Sequence, residues 1–297
     1  MTKGRILVSG SSGPIGTALL PRLAQGDYQV MRLVRAASGG IPWDPAQPLD
    51  PRLVSGFAGV IHLAGEPIVG RWTEAKKRRI YESRTAGTQN LANALAGAEE
   101  RPRVLISASA IGFYGSRGDE LLCENSASGQ DFLSAVCRDW ESSTGAALQA
   151  GIRTVHARFG LILSRHGGAL PKMLTPFRLG LGGRVGNGRQ WWSWIHIKDV
   201  VEAIVHALEN ASLQGPVNVV APAPVRNSRF TKILAELVDR PAWLPIPGFA
   251  ARLVFGQMAD ELLLASQRVE AAKLRDHGYR FAYSELPNAL EALLRRR

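Results

Sequence analysis

The run Arg5-Ile-Leu-Val-Ser-Gly10-Ser-Ser-Gly13-Pro-Ile-Gly16-Thr-Ala-Leu-Leu20 constrains the fold of this chain more than any other segment. Ile6–Val8 reads as a short buried strand and Thr17–Ala24 as a helix, with the glycine loop between them. Strand, glycine turn and helix, in that order, are what a dinucleotide pyrophosphate requires. Gly10 permits the tight turn, Gly13 lets backbone amides approach the phosphates, and Gly16 lets the helix pack closely on the strand. Ser12, Pro14 and Ile15 complete the loop. The helix N-terminus then offers unpaired N–H groups and a partial positive charge to the anion.

Apolar, β-branched runs recur at Ile6–Val8, Gln29–Val34, Gly59–Leu63, Val104–Ser107, Thr154–Phe159 and Val217–Val220. Helical periodicity fills Thr17–Ala24, Glu74–Ala96, Asp131–Ala150 and Asp199–Asn210 between them. The alternation predicts an α/β fold, a Rossmann-type doubly wound parallel sheet. After about Gly160 the texture changes to glycines and tryptophans (Gly180–Gly188, Trp191-Trp192-Ser193-Trp194), and prolines crowd positions 222–247. The expected organisation is a dinucleotide-binding domain of residues 1–163 plus 199–220. A smaller mixed substrate lobe then comprises 164–198 plus 221–297, with the substrate in the cleft between the two.

With 45% hydrophobic and 21% charged residues, the 297-residue chain reads as a globular protein. No apolar run approaches the roughly 20 residues that cross a bilayer, and Met1-Thr-Lys-Gly-Arg leads into a strand without a signal-peptide core. Cys123 and Cys137 are the only cysteines. A reduced cytoplasm is the expected compartment, with no disulfide, no metal motif and no membrane. The net charge of +11 gathers at Lys76-Lys77-Arg78-Arg79 and Arg295-Arg296-Arg297. No helix-turn-helix, zinc-finger or RNA-binding aromatic signature accompanies it, so nucleic acid is not the expected partner; an anionic cofactor or substrate is.

The strand ends refine the ligand. An NAD site usually places Asp or Glu at the end of the second strand for the ribose 2′-hydroxyl. Here Val34 is followed by Arg35, and no acid follows until Asp44. An arginine there suits the 2′-phosphate of NADP(H). Leu63-Ala64-Gly65 closes the third strand with small residues beside the adenosine half. At the same sheet edge the segment Ser107-Ala-Ser109-Ala-Ile-Gly-Phe-Tyr114 brings a serine and a tyrosine as candidates for polarising a carbonyl and relaying a proton.

These residues resemble the extended short-chain dehydrogenase/reductases, and more closely their atypical "epimerase family" branch, which has its own C-terminal extension. The marks run along the whole chain: the glycine loop, Leu63-Ala-Gly-Glu66-Pro67, Arg71-Trp72 with Ser83-Arg84, Pro176–Gly183, Gly186–Gln190, Trp194-Ile-His196-Ile-Lys-Asp199 and Pro224-Val-Arg-Asn227. The resemblance implies an NADP-binding Rossmann fold. Its cofactor positions fall at Gly10–Gly16, Val34, Arg35, Leu63, Ala64, Arg79, Arg84 and Ile162. It also implies a homodimer formed through Glu74–Ala96 and Asp131–Ala150.

The family's chemistry rests on a Tyr-x-x-x-Lys pair on one helix face. No tyrosine of this chain has a lysine four residues on, and the expected positions hold Leu133 and Cys137, within an apolar stripe of Phe132, Val136 and Trp140. The substitutes are Ser109, Tyr114, Cys137 as a polarisable thiol, and His196. Two functions follow. One is an NADP(H)-dependent oxidoreductase or epimerase-like protein acting on a small anionic or nucleotide-linked substrate. The other is a non-catalytic NADP(H)-binding sensor.

Overall fold

Seven strands form one parallel sheet in the order β7-β6-β5-β4-β1-β2-β3. They are β1 (Gly4–Ser9), β2 (Tyr28–Val34), β3 (Ile41–Pro42), β4 (Gly59–His62), β5 (Val104–Ala110), β6 (Arg153–Phe159) and β7 (Gly215–Val219). The order reverses between β1 and β4, which places a crevice at their carboxyl ends. The computed structural model describes residues 3–35 and 39–295. Met1 and Thr2 ahead of β1, and Arg296 and Arg297 of the basic tail, lie outside the described residues.

Side chains alternate across the sheet and feed two cores. Ile6, Val8, Ile61 and Ile106 face Leu19 and Leu23 of α1 (Pro14–Gln25) and Val200 and Ile204 of α6 (Ile197–Glu209). Leu7, Val60 and Leu105 face Leu91 and Leu95 of α2 (Glu74–Ala96) and Ala147 of α4 (Gly145–Gln149). Burial on both faces explains why these strands read as continuous apolar runs. The expected doubly wound sheet is present, and α2 has the bounds its periodicity predicts.

One expected element is two. The segment predicted as a single helix over Asp131–Ala150 forms α3 (Phe132–Ser142) and α4, with a break at Ser143-Thr144. Asp131 caps α3 by accepting from Ser134 N at 2.8 Å. At the far end Ser143 Oγ donates to Asp139 O (2.6 Å) and Thr144 Oγ1 to Glu141 O (2.8 Å). Hydroxyls that bond their own backbone compete with helix propagation. β5 also runs three residues past Ser107, which sets Ser107 and Ser109 on the same face of the sheet.

The remaining chain builds a third core. Leu163, Leu170 and Phe177 meet Trp192, Trp194, Phe230 and Leu290. The elements are α5 (Ala169–Arg178), α7 (Asn227–Leu237), α8 (Gly248–Phe255) and α9 (Leu286–Leu294). Met258, just after α8, packs with Trp72, Ile80, Leu133 and Val136 and so ties the C-terminal segment to the first turns of α2 and α3. Among the described residues no helix is long and apolar enough to cross a membrane.

Candidate functional site

The glycine loop joins β1 to α1 at the switch point. Gly10 has φ +68°, and a Cβ on it would stand 2.5 Å from the carbonyl carbon of Leu63. A Cβ on Gly16 would stand 2.5 Å from Ser11 Cα. Both glycines are thus required by the protein's own backbone. Gly13 differs: its backbone is extended, and a Cβ there would meet only Gly10 O, at 3.4 Å. Internal packing therefore leaves room at Gly13, which is the N-cap of α1. No side chain caps that helix and its first turn carries no acid. The open space and uncapped amides fit a dinucleotide pyrophosphate. Gly167 lies over this loop, since its Cβ would come 2.7 Å from Pro14 Cγ. Ile162, on the strand entering that turn, packs against the α1–α6 core. Val34 is half-buried at the end of β2, and Arg35 beyond it is exposed.

A buried polar chain lies beneath the crevice. Leu63 N donates to Ser9 Oγ (3.2 Å), and Ser9 Oγ lies 2.6 Å from His62 Nδ1. His62 Nε2 is 3.0 Å from Thr88 Oγ1, which also accepts from Trp140 Nε1 at 2.9 Å. Full burial pushes the His62 pKa down to about 4, so the ring is neutral. With Ser9 donating to Nδ1, Nε2 carries the proton and donates to Thr88.

Above it, Leu63, Ala64 and Gly65 border a cationic rim. Arg84 from α2 donates to the carbonyls of Glu66 (3.0 Å) and Ile80 (3.2 Å), and its guanidinium lies over Trp140 at 5.0 Å. A Cβ on Gly65 would stand 3.3 Å from Arg84 Cζ, so the small residue admits the arginine. Burial lowers the Arg84 pKa, with Cys137 and Glu66 as opposing influences. Glu66 binds Lys76 (2.6 Å) and faces Arg79 (3.6 Å), and the Lys76 ammonium holds its carboxyl below the usual range. Arg79 remains largely exposed at this rim.

The structure separates the four proton-transfer candidates. Tyr114 is fully buried; its hydroxyl donates to Asn218 Oδ1 (2.6 Å) and accepts from Arg158 (3.0 Å). Burial pushes its pKa up to about 12. His196 caps α6: its Nδ1 accepts from Lys198 N at 3.0 Å, and its ring stacks on Tyr283 at 3.9 Å. Desolvation drives its pKa down to about 4. The Tyr114 hydroxyl and His196 Nδ1 are thus both engaged within the protein. Cys137 is buried beside the end of β5, 3.8 Å from where a Cβ on Gly112 would sit, and burial raises its thiol to about 12. The stripe of Leu133, Val136, Cys137 and Trp140 is buried as its spacing predicts.

Ser109 belongs to a network that sequence reading missed. Its Oγ donates to Glu141 Oε1 at 2.7 Å, and Glu141 receives Arg158 through two hydrogen bonds of 2.7 and 2.8 Å. Arg158 also lies 3.5 Å above the Phe113 ring. Glu141 follows Cys137 by one helical turn, so the same face of α3 that lacks the family lysine carries a carboxylate. Ser107, two residues back on β5, is buried, and its Oγ reaches only Ala108 O, at 3.4 Å.

A cavity of about 670 Å³ is lined by Asp119, Arg189, Gln190, Arg226, Arg252 and Ser266, among others. Arg226 pairs with Asp119 (2.8 Å) and Arg252 with Asp260 (2.7 Å). The guanidinium groups of Arg226 (4.2 Å) and Arg268 (4.8 Å) both lie over the Trp191 ring. Gln267, next to the cavity-lining Ser266, donates to Ile111 O immediately beyond β5. That bond couples the cavity wall to the end of the strand bearing Ser109.

Comparison with known proteins bears on all of this. The model of the "NAD dependent epimerase/dehydratase family" matches residues 6–221, and a "Domain of unknown function (DUF1731)" matches residues 246–293. The epimerase family protein Mb2239 of Mycobacterium bovis is 40% identical over 295 residues, 98% of this chain and 97% of that protein. YfhF of Bacillus subtilis is 43% identical over 235 residues, 79% and 77% of the two chains. The human epimerase family protein SDR39U1, crystallised with NADPH, superposes with a TM-score of 0.90 at 32% identity, covering 98% of this chain and 99% of its own.

Proposed function

The chain belongs to the NAD dependent epimerase/dehydratase family, and on that premise we propose that it binds NADP(H) at the Gly10–Gly16 loop and acts as an oxidoreductase on a small anionic substrate. The observation that carries the cofactor reading is Gly13, whose missing side chain leaves space at an uncapped helix N-terminus that no protein atom uses. Leu63, Ala64 and Gly65 border the adenosine side, and Arg84 supplies a cation at the crevice rim. Arg35 supports the phosphorylated cofactor, since it stands where an acid would serve the ribose 2′-hydroxyl. The human relative solved with NADPH supports the same choice.

When bound, the nicotinamide supplies the acceptor or donor of hydride. The chain must move the proton, and Ser109 with Glu141 behind it provides the route. While Ser109 Oγ donates to Glu141, its lone pairs are free to accept from a substrate hydroxyl. In the oxidation direction the substrate proton passes to Ser109 Oγ as the serine proton passes to the Glu141 carboxylate; reduction reverses both transfers. Arg158 holds that carboxylate in place. The anionic part of the substrate falls to the cavity of about 670 Å³, where Arg189 forms no ion pair among the described residues.

A second reading, a cofactor-binding sensor without chemistry, draws on Leu133 and Cys137 and on the inward turn of Tyr114 and His196. One experiment separates the two. NADPH and NADH are titrated by calorimetry, then the protein is incubated with nicotinamide deuterated at C4 and a panel of carbonyl compounds and sugar nucleotides. Tight NADPH binding with stereospecific loss of label supports the oxidoreductase. Tight binding with the label retained throughout favours the sensor, and absence of NADPH binding overturns both.

A further inference from the structure

The most exposed large apolar side chains of the molecule fall in two stretches, 179–181 and 243–253. Leu179, Leu181, Trp243, Leu244, Phe249 and Leu253 are each more than half exposed, and Trp243 is 88% exposed. They come from two stretches that run side by side. Ile246 N donates to Arg184 O and Gly186 N to Ile246 O, each at 2.8 Å, and Arg240 Nε donates to Arg178 O at 3.1 Å. The paired backbones bring the stretch bearing Leu179 and Leu181 beside the one bearing Trp243 and Leu244, and Phe249 and Leu253 follow on α8. Large contiguous apolar faces are uncommon on soluble monomers and mark interaction surfaces.

The charge around this face identifies its partner. Arg178, Arg184 and Arg240 are exposed and form no ion pair among the described residues. Arg184 and Arg240, with Lys232, Ser228 and Thr231, line a cavity of about 690 Å³ that also includes Trp243. Glu236 and Asp239 line it too, and Glu236 is engaged by Lys232 at 3.9 Å. Guanidinium groups and hydroxyls beside a protruding indole suit a phosphate headgroup whose acyl chains lie against the neighbouring leucines and phenylalanine. A second copy of the chain would set the same arginines against their counterparts, which disfavours self-pairing.

We propose that this face, formed by Leu179, Leu181 and the Trp243–Leu253 segment with its arginine rim, docks the protein peripherally on an anionic phospholipid surface. The docking makes no use of the glycine loop, and α8, two turns long, contributes its exposed Phe249 and Leu253. Binding grows with buried apolar area and with attraction of the basic rim to anionic headgroups.

The test is flotation of the whole protein with vesicles of phosphatidylcholine alone or with roughly a third phosphatidylglycerol. The expected result is at least about tenfold stronger partition onto the anionic vesicles, weakening as salt is raised. Each basic group near such a surface is worth about fivefold, so removing the two charges in Arg178→Gln with Arg184→Gln lowers partition about 25-fold. Trp243→Ser with Phe249→Ser abolishes it. All four side chains are exposed, and unchanged thermal melts establish that the variants fold. Equal partition onto neutral and anionic vesicles, no partition onto either, or indifference to the arginine pair overturns the proposal. So does sedimentation equilibrium showing a dimer that Trp243→Ser dissociates, since the face would then be occupied by a second copy.

Discussion

The nucleotide end of the crevice and its chemical end are held by different means. At the nucleotide end the constraint is in the backbone: Gly10 and Gly16 touch main chain that a single methyl group would strike. At the chemical end it is in side chains, and Leu133 and Cys137 occupy the family's tyrosine and lysine positions without disturbing α3, because an apolar stripe packs there equally well. A binding loop dictated by main-chain contacts tolerates little change. A proton relay hung on helix side chains can be replaced while the fold persists. The two ends of the crevice are therefore separable.

The sharpest way to break this contrast is at Glu141. It is nearly buried, and its loss strands the Arg158 guanidinium, which is 3% exposed, with no carboxylate. Glu141→Ala is expected to cost about 3–5 kcal/mol in chemical denaturation. Glu141→Gln, which keeps one acceptor, should cost less and leave NADPH affinity unchanged, yet stop label exchange if Ser109 relays its proton there. Normal exchange in Glu141→Gln would place proton transfer elsewhere.

The glycines give the next largest effect, and they divide. Gly10→Ala forces a methyl group into the Leu63 backbone at a left-handed φ. It should cost at least about 2 kcal/mol of stability together with cofactor binding. Gly13→Ala has an extended φ and only one contact at 3.4 Å, so its melting temperature should stay near that of the parent while NADPH affinity falls about tenfold or more. Equal NADPH affinity in Gly13→Ala and the parent would mean that the open space serves no ligand.

What the sequence revealed follows the same division. The glycine loop, the sheet and α2 were legible because local spacing and burial on both faces determine them. The break between α3 and α4 was not, since it depends on which way the Ser143 and Thr144 hydroxyls turn. Glu141 was passed over because its partners lie 17 and 32 residues away. The partner of Tyr114 is equally remote: Asn218, 104 residues on, accepts its hydroxyl proton. No local spacing marks the apolar residues at 179–181 and 243–253 as outward-facing; the fold reveals their exposure.

His62 joins the two ends through Ser9 and Thr88 and gives a pH signature. Its folded pKa of about 4 lies below the ordinary value of 6.5, so between these values the unfolded chain takes up a proton that the folded one refuses. Stability is complete above about pH 6.5, falls as pH drops toward 4, and stops falling from this cause below that. The slope from one such group is at most about 1.4 kcal/mol per pH unit, and over the whole window the total is on the order of 3 kcal/mol. His196 and Glu66 act in the same direction, the latter because its pairing with Lys76 is lost on protonation. Urea titrations at pH 7, 5.5 and 4.5 should therefore show a shallower dependence in His62→Gln than in the parent. Identical slopes would mean that the ring is charged in the folded state.

The smallest expected effect tests whether the nucleotide end also selects its ligand through a side chain. Arg35 is exposed at the end of β2, so its attraction to a 2′-phosphate is partly screened by water. A charge-assisted hydrogen bond there is worth about 1.5 kcal/mol, or roughly tenfold. Arg35→Ala should weaken NADPH by that factor and leave NADH within about twofold, because only NADPH carries the phosphate. Raising the salt concentration should narrow the difference between the two cofactors in the parent protein and leave it unchanged in the variant. If both cofactors weaken together, Arg35 supports the loop rather than reading the phosphate. The nucleotide end would then bind through backbone alone, with its preference between the two cofactors set elsewhere.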